Sequence, residues 1–371
     1  MRVRFAAALA VALVLGAAAS PALAWSHQGH IVCTRLAALR IINDETAPAE
    51  LREFLRRNMP YDLDAVKRTV LGEFVGAQAR DYQTGLDGYS TLPDRIQDTD
   101  EGKQKIEPYG APESKMHFCD LEFFAKEPQY KPDLSNKPKR EDIPRDVKDP
   151  RWLAAGFVPL RLDESYKNLV TAFGAKNKPI NNTDAAKWTG YLAHYLQDCT
   201  QPHHATIDFK SLSYLAGKVP SVRTIKTDLS NGGVSVSYRA DRDVNPHGDL
   251  EFQLFENANE PRKTWREDLW RELNARIDKK SKQPVKPAEY DGFAKSLDLL
   301  FDSYTYLPAV GKAAQAAYAT GKFDAEAFFT SKDTVNGEEL TIVQLMAERK
   351  ARAVLEVEHA IRAAWTEAKA K

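Results

Sequence analysis

Residues 191–204 read Tyr191-Leu-Ala-His194-Tyr-Leu-Gln-Asp198-Cys-Thr-Gln-Pro202-His203-His204. As a helix, this stretch places His194 and Asp198 one turn apart on the same face. We expect the helix to end before Pro202, which lacks a backbone N–H and disfavours helix in the residue before it. Two histidines follow at once, so several side chains that can ligate a metal converge at one helix end.

The neighbours of this pair are apolar or aromatic, and they include Tyr191, Leu192 and Tyr195. A buried aspartate without a partner would be costly in such surroundings. Metal coordination would remove that cost, whereas the alternative is a core histidine beside a surface aspartate. Thr183 or Asp184 is a suitable N-cap, which predicts a central helix over 185–198.

The N-terminus has the features of a secretory signal. Arg2 and Arg4 precede an apolar run that is too short to be a comfortable membrane span, and Ala22-Leu-Ala24 matches a cleavage site. We therefore expect residues 1–24 to be a cleaved signal peptide and Trp25 to be the new N-terminus. The protein is then predicted to be secreted or periplasmic.

The remaining residues, 25–371, are enough for one large domain or two modest ones. Loss of Arg2 and Arg4 changes the 52 basic and 52 acidic residues to 50 and 52. This balance argues against a protein that binds duplex DNA through many phosphate contacts. The chain shows neither an internal repeat nor a convincing linker, so we predict one mainly helical, all-α domain.

Hydrophobic periodicity predicts most of the secondary structure. The predicted helices cover 26–42, 47–58, 61–76, 152–175, 185–198, 258–277, 290–304, 307–318 and 340–369. The stretch 81–110 is polar and has turn signals at Gly85, Gly88 and Pro93, whereas 127–151 is rich in Pro, Lys and Asp and predicts a long surface loop. Alternation after Gly232-Gly233 predicts a short strand, and with it one short β-hairpin.

The chain has three cysteines, Cys33, Cys119 and Cys199. An exported protein could form one disulfide and keep one thiol. Cys119 and Cys199 lie close in sequence to suspected ligands, so a bridge between them is the first to test. No C-x-x-C spacing occurs, which makes a cysteine zinc site a weak interpretation.

Seven of the eight histidines fall near other potential ligands, while His359 looks like an ordinary residue of the last helix. The first cluster contains Trp25, His27 and His30. After cleavage, the α-amine and carbonyl of Trp25 could chelate a metal that His30 also reaches, because an α-amine loses its proton easily. The alternative is an N-terminal aromatic residue packed on the core.

The second cluster combines an aspartate with His117, a pairing that can bind zinc. Asp94 is the favoured aspartate, but Asp87 and Asp98 compete for the role. The alternative is a solvated acidic loop beside a histidine at the edge of the core.

A further cluster is Asn245-Pro-His247-Gly-Asp-Leu-Glu251, where His247 and Glu251 repeat the four-residue spacing of the central helix. Pro246 fits a helix start. A polar helix N-terminus explains Asp249 by itself, because acidic residues are favoured there. A polar N-terminus explains Glu251 less well, since Glu251 lies one helical turn after His247.

Co-occurrence of these clusters is more informative than any one of them, because together they offer ligands for three ions if one carboxylate bridges two.

Competing chemistries find no support in the sequence. The chain has no G-x-S-x-G nucleophile motif and no phosphate-binding G-x-x-x-x-G-K-[ST] loop. It also lacks the H-E-x-x-H of common zinc proteases.

The order and spacing of these residues resemble one superfamily, which contains bacterial zinc-dependent phospholipases C and the zinc-dependent single-strand-specific nucleases of moulds and plants. The resemblance extends from Trp25 to the last helix. Its most specific part is His194-x-x-x-Asp198-x-x-Gln-Pro-x-His204.

That resemblance implies a single multi-helix domain of the phospholipase C and nuclease type, with three zinc ions in a cleft. The first zinc would be held by Asp94, His117, His194 and Asp198. The second would be held by Trp25, His30 and again Asp198, and the third by His204, His247 and Glu251. Asp198 is the bridging carboxylate, and we expect Asp94 and Asp198 to be the catalytic residues. His203 would face substrate or support a ligand.

Two branches of the superfamily compete for the substrate. Trp25-Ser-His-Gln-Gly29-His30 resembles the nucleases, whereas Leu250-Glu251 resembles the phospholipases, since the nucleases usually end this motif with Trp-Asp. We expect a phosphodiesterase acting on single-stranded nucleic acid or nucleotides, with phospholipid as the alternative substrate. A zinc-stabilised binding protein is the non-enzyme alternative. No protein partner is implied, and we expect a monomer.

Overall fold

The computed structural model describes residues 25–73, 85–125, 137–175, 183–228, 234–240, 244–256, 260–281 and 290–371. These residues form a mainly helical fold with two small two-stranded sheets, which confirms the predicted fold class. The predicted signal peptide lies outside the described ranges. Within them, no helix combines the length and the apolar character that a bilayer span requires.

Fourteen α-helices lie in the described ranges. They are α1 His27–Ile42, α2 Ala49–Asn58, α3 Leu63–Val70, α4 Gly85–Ile96, α5 Trp152–Ala155, α6 Val158–Gly174, α7 Thr183–Cys199, α8 Leu212–Leu215, α9 Pro246–Glu256, α10 Glu260–Ser281, α11 Gly292–Tyr304, α12 Leu307–Ala317, α13 Ala325–Phe329 and α14 Ile342–Ala370. Four strands, β1 Val222–Asp228, β2 Val234–Ala240, β3 Lys332–Val335 and β4 Glu338–Thr341, pair as two antiparallel hairpins.

Helix α7 carries His194 and Asp198 through the centre of the fold. It packs against α4 and α6, and also against the long last helix α14. Residues 189–199 are all buried, polar ones included. The helix ends at Cys199, and a 3₁₀ turn Pro202–Ala205 follows, as Pro202 predicts. Both predicted caps were wrong, because Thr183 and Asp184 lie inside the first turn.

Helix α4 is the main element missing from the sequence-based prediction, in which 81–110 is a polar stretch with turn signals. Gly85, Gly88 and Pro93 lie within α4, and all three residues are poor helix formers. The segment is nevertheless helical, because α4 packs closely against α7. A Cβ on Gly190 of α7 would lie 2.3 Å from the Cβ of Tyr89. The glycine therefore lets α4 and α7 approach closely, and burial of the shared face stabilises the helix.

Two other predicted helices are shorter or interrupted. The helix expected over 61–76 ends at Val70, and Gly72 follows with a φ of +90°. Residues 74–76 lie outside the described ranges. The helix expected over 152–175 is broken at Gly156, whose φ is +89° and where a Cβ would lie 2.4 Å from the carbonyl oxygen of Phe118. This close approach requires glycine.

The predicted disulfide is not formed. Cys33, Cys119 and Cys199 are all buried free thiols, and burial raises the pKa of each. All three pack in the hydrophobic core. Buried thiols of this kind behave as small apolar side chains. The hairpin predicted near residue 234 is present as β1–β2, whereas β3–β4 was missed because its strands are only four residues long.

Candidate metal centre

The end of the central helix is fixed in place by neighbouring elements. The Trp25 indole Nε1 donates to the Gln197 carbonyl at 3.2 Å, and the Ser303 hydroxyl donates to the Cys199 carbonyl at 2.6 Å. Arg349 Nε donates to the Thr200 carbonyl at 3.0 Å. These donors satisfy carbonyls that a helix end otherwise leaves without partners. The backbone beneath Asp198 is thereby held rigidly.

A first group of possible ligands contains Asp94, His117 and His194, whose ligand atoms all lie within 4.8 Å of one another. His117 Nδ1 lies 3.5 Å from Asp94 Oδ1, and His194 Nε2 lies 3.7 Å from the same oxygen. The competing aspartates are placed elsewhere. Asp87 pairs with Arg35 at 2.5 Å, and Asp98 is exposed.

A second group contains His30, His194 and Asp198. His30 Nε2 lies 3.7 Å from Asp198 Oδ1 and 3.6 Å from Asp94 Oδ2. Asp198 Oδ2, on the other side of the carboxylate, lies 3.1 Å from His117 Nδ1 and 3.2 Å from His194 Nε2. Each oxygen of Asp198 thus faces a different group, the arrangement that a carboxylate bridging two ions requires. His194 is also shared between the groups, which sequence reasoning did not anticipate.

The third group contains His204, His247 and Glu251. His247 Nε2 is 2.6 Å from Glu251 Oε1, and His204 Nε2 is 3.8 Å from the same oxygen. Gln201 donates its amide to this oxygen at 2.6 Å. His204 Nδ1 also donates to the His117 carbonyl at 2.7 Å, so the third group is tied to the first.

The Trp25 side chain packs against the end of the central helix that carries Asp198. This side chain is fully buried, and Lys350 Nζ lies 3.8 Å from the centre of its ring. A Cβ on Gly29 would lie 2.8 Å from that ammonium, so glycine leaves room for the contact. The predicted role of the Trp25 amine and carbonyl stays a prediction. Lys350 has no sequence signal, because one lysine in a long helix is ordinarily exposed.

His203 is buried next to the third group but does not join it. Its Nε2 atom lies 2.9 Å from the Ser211 hydroxyl, and its ring centre lies 5.3 Å from that of His247. The predicted role of His203, to face substrate or to support a ligand, stays a prediction.

Burial sets the protonation of the groups. It lowers the pKa of His30, His117 and His194, so these imidazoles are neutral and can donate a lone pair. It raises the pKa of Asp198 and Glu251 well above their usual range. Carboxyl groups in such surroundings stay protonated unless a cation compensates the charge.

Several polar atoms make no hydrogen bond within the part of the chain that the structure describes. They include both ring nitrogens of His30, Nε2 of His117 and Oδ1 of Asp198. Buried polar atoms normally have partners, so atoms that lack them require an explanation. Nitrogen and oxygen donors of this kind suit zinc and similar divalent metals. All three groups therefore fit metal ions by their chemistry, and the first two also by their unmet hydrogen bonding.

Glu113 is a further residue of the centre that sequence reasoning missed. This fully buried carboxylate lies 4.0 Å from Nε2 of His117, on the side of the ring away from Asp198. It accepts a hydrogen bond from Tyr195 and faces Arg161 at 3.7 Å. Carboxylates behind metal-binding histidines orient the ring and raise its basicity. The four-residue spacing of Glu113 and His117 was the available signal.

We expect Glu113→Gln to weaken metal binding at the first group by about 10- to 100-fold, because His117 loses its carboxylate neighbour. Competition with a fluorescent zinc chelator measures this affinity. Glu164→Gln is the matched control, since Glu164 bonds the same Arg161 at 2.6 Å but does not contact His117. Equal losses in both variants, or none in Glu113→Gln, would contradict the assigned role.

The chain matches no protein-family model, and a search of curated proteins finds no relative. The resemblance of its motifs to the zinc phospholipase C and nuclease superfamily therefore stays a prediction.

Proposed function

We propose that this chain is a zinc-dependent phosphodiesterase with three metal ions, which cleaves single-stranded nucleic acid or nucleotides outside the cytoplasm. The observation that carries the proposal is the pair of groups on either side of Asp198, with a third group tied to them through His204. A structural zinc site is closed by four protein ligands, whereas a catalytic site keeps a position open. Among the described residues the third group offers three side chains, which leaves a fourth position for water or substrate and favours catalysis over a purely structural role.

A phosphodiester anion resists attack by water. When bound, zinc ions neutralise such an anion and activate water near neutral pH. The side chains would act by position and charge. Asp94 and Asp198 would balance the positive charge of the first two sites, and Asp198 would hold those sites at a fixed separation. His204, His247 and Glu251 would hold the third ion, where the phosphoryl group and its leaving oxygen would bind.

Phospholipase C activity is the second candidate, and one sequence feature favours it. Leu250-Glu251 ends the last motif as the phospholipases do. Glu251 is nevertheless part of the third group, so either substrate is compatible with the same ligands. The two functions differ in what must surround the metals, namely surfaces for bases and successive phosphates or an apolar rim for a bilayer.

A direct assay separates these functions. Protein that begins at Trp25 and is loaded with zinc is incubated with single-stranded DNA, RNA and phosphatidylcholine. We expect cleavage of the nucleic acids, its loss after chelation and its recovery with zinc. Chelation is also expected to lower the free energy of unfolding, by about 4 kcal/mol for each site at a zinc concentration a thousand times Kd.

Hydrolysis of phosphatidylcholine alone would transfer the proposal to the phospholipase branch. Zinc binding without hydrolysis of any of the three would favour the zinc-stabilised binding protein.

A further inference from the structure

The hairpin β1–β2, called the ribbon below, has an unusual charge arrangement. Arg223 on β1 lies directly opposite Arg239 on β2. Like charges in this position repel each other and destabilise a sheet. Both side chains are exposed, and within the described residues neither forms an ion pair. Among the described residues nothing compensates this repulsion, and an anion bound between the two would relieve it.

The same face of the ribbon also carries an exposed apolar side chain. Residues two apart on a strand point to the same side, which places Ile225 beside Arg223. Ile225 is 39% exposed, one of three large apolar side chains exposed to this degree in the described ranges. The face thus combines two guanidinium groups with an apolar contact.

This positive charge is local. The whole chain has equal numbers of basic and acidic residues. The described strands of the ribbon carry Arg223, Lys226 and Arg239 against the single acid Asp228, so their net charge is positive. A general excess of basic residues does not account for it.

The ribbon is joined to the third metal group by a short series of contacts. In sequence it lies between His204 and His247, two members of that group. Strand β2 packs against α8, which begins directly after Ser211. The Ser211 hydroxyl lies 2.9 Å from His203, whose ring is 5.3 Å from that of His247. A polymer bound at the third group would therefore have the ribbon as a neighbouring surface.

We propose that the ribbon is a docking surface for single-stranded nucleic acid, on which Arg223 and Arg239 bind phosphates next to the one being cleaved. This inference rests on the proposed function, because it places the reacting phosphate at the metal groups. A nucleic acid strand continues beyond that phosphate and carries further charges and bases. A lipid headgroup has no further backbone phosphates beyond that point, so its binding would not require a second anion site on the ribbon. Guanidinium groups bind phosphate by paired hydrogen bonds.

The test compares a polymer with a small ester. Arg223→Thr/Arg239→Thr removes both charges and keeps residues that favour strands. Binding of a hydrolysis-resistant phosphorothioate oligo(dT) strand to the zinc-loaded protein is followed by fluorescence anisotropy at several salt concentrations. Hydrolysis of bis(p-nitrophenyl) phosphate, which carries a single phosphate and no continuing strand, is measured in parallel. Lys263→Ala/Lys279→Ala removes two exposed charges from α10 as the control.

We expect the ribbon variant to bind oligo(dT) about tenfold more weakly and to lose about 1.4 from the slope of log affinity against log salt, roughly 0.7 for each phosphate contact. Hydrolysis of the small ester should not change. The melting temperature should be equal or higher, because the variant removes a repulsive pair. The control variant should match the parent in every measurement.

Unchanged oligo(dT) binding in the ribbon variant, or an equal loss in the control, would overturn the proposal. The proposal would also be overturned if the ribbon variant bound phosphatidylserine-containing vesicles more weakly than the parent but kept its binding to oligo(dT). The ribbon would then be a membrane contact. Failure of the parent to cleave single-stranded DNA, RNA and the small ester, with ribbon-dependent oligo(dT) binding intact, would reject the proposed phosphodiesterase and leave the ribbon as a surface that binds nucleic acid.

Discussion

Asp198→Asn is expected to lower kcat/KM by about a thousandfold and to reduce the bound zinc from three ions to one. The side chain faces His30 with one oxygen and His117 and His194 with the other, so an amide weakens two sites at once. Metal ions contribute several kcal/mol to charge stabilisation in the transition state. Each factor of ten in rate corresponds to about 1.4 kcal/mol, which gives the expected magnitude.

A stability measurement separates this effect from misfolding. Burial raises the pKa of Asp198 in the folded, metal-free protein above its value in the unfolded chain. An ionised Asp198 therefore opposes folding above the unfolded pKa, and an asparagine does not. The metal-free variant should be at least as stable as the metal-free parent in urea.

Asp98→Asn changes an exposed aspartate nearby and should leave zinc content, rate and stability as they are. Full zinc content and full activity in Asp198→Asn would reject the bridging role.

Residues retained ahead of Trp25 are expected to abolish activity and to remove one zinc ion of the three. An extension converts the Trp25 amine into an amide, whose nitrogen is a poor metal ligand. The side chain should stay where it is, because its indole bonds to Gln197 and its ring lies against Lys350. The extension should therefore change the metal count without unfolding the protein. Zinc per chain is measured by elemental analysis, together with activity.

The control for this experiment carries the same extension after Lys371, at the exposed C-terminus of the chain. We expect it to keep three ions and full activity. If the N-terminal extension also keeps both, the Trp25 amine is not a ligand, and His30 must bind with Asp198 and His194 alone.

Short-range spacing predicted much of the centre. His194 and Asp198 lie on the same face of one helix, because four residues make about one turn. The same spacing places His247 and Glu251 on one face of α9. Once helices are assigned, such pairs must point the same way. His30, His117 and His204 were found by their residue type and then brought to these pairs by the fold. The potential ligands could therefore be identified from the sequence, although the distances between them depend on packing.

Asp94 shows where local reasoning fails. Glycines and a proline are turn signals around it, so no helix was predicted there, and three aspartates competed for one role. Packing of α4 against Gly190 makes the segment helical and directs Asp94 into the centre. Asp87, on the same helix, pairs with Arg35 from α1. Contacts between segments far apart in sequence decide both outcomes, and no local pattern reports them.

Supporting residues were missed for a similar reason. Glu113 and Lys350 belong to residue types that are nearly always exposed, yet both are buried beside the centre. The cross-strand pair of Arg223 and Arg239 also required the register of the ribbon, which alternation within one strand does not determine. The sequence predicted the chemistry of the centre better than its surroundings, and the surroundings determine the substrate.

Anomalous diffraction at the zinc absorption edge, from crystals of zinc-loaded protein that begins at Trp25, tests the central claim most directly. We predict three peaks, two on either side of the Asp198 carboxylate and one among His204, His247 and Glu251. The absence of a peak beside Asp198, or zinc bound only at other places in the chain, would contradict the account.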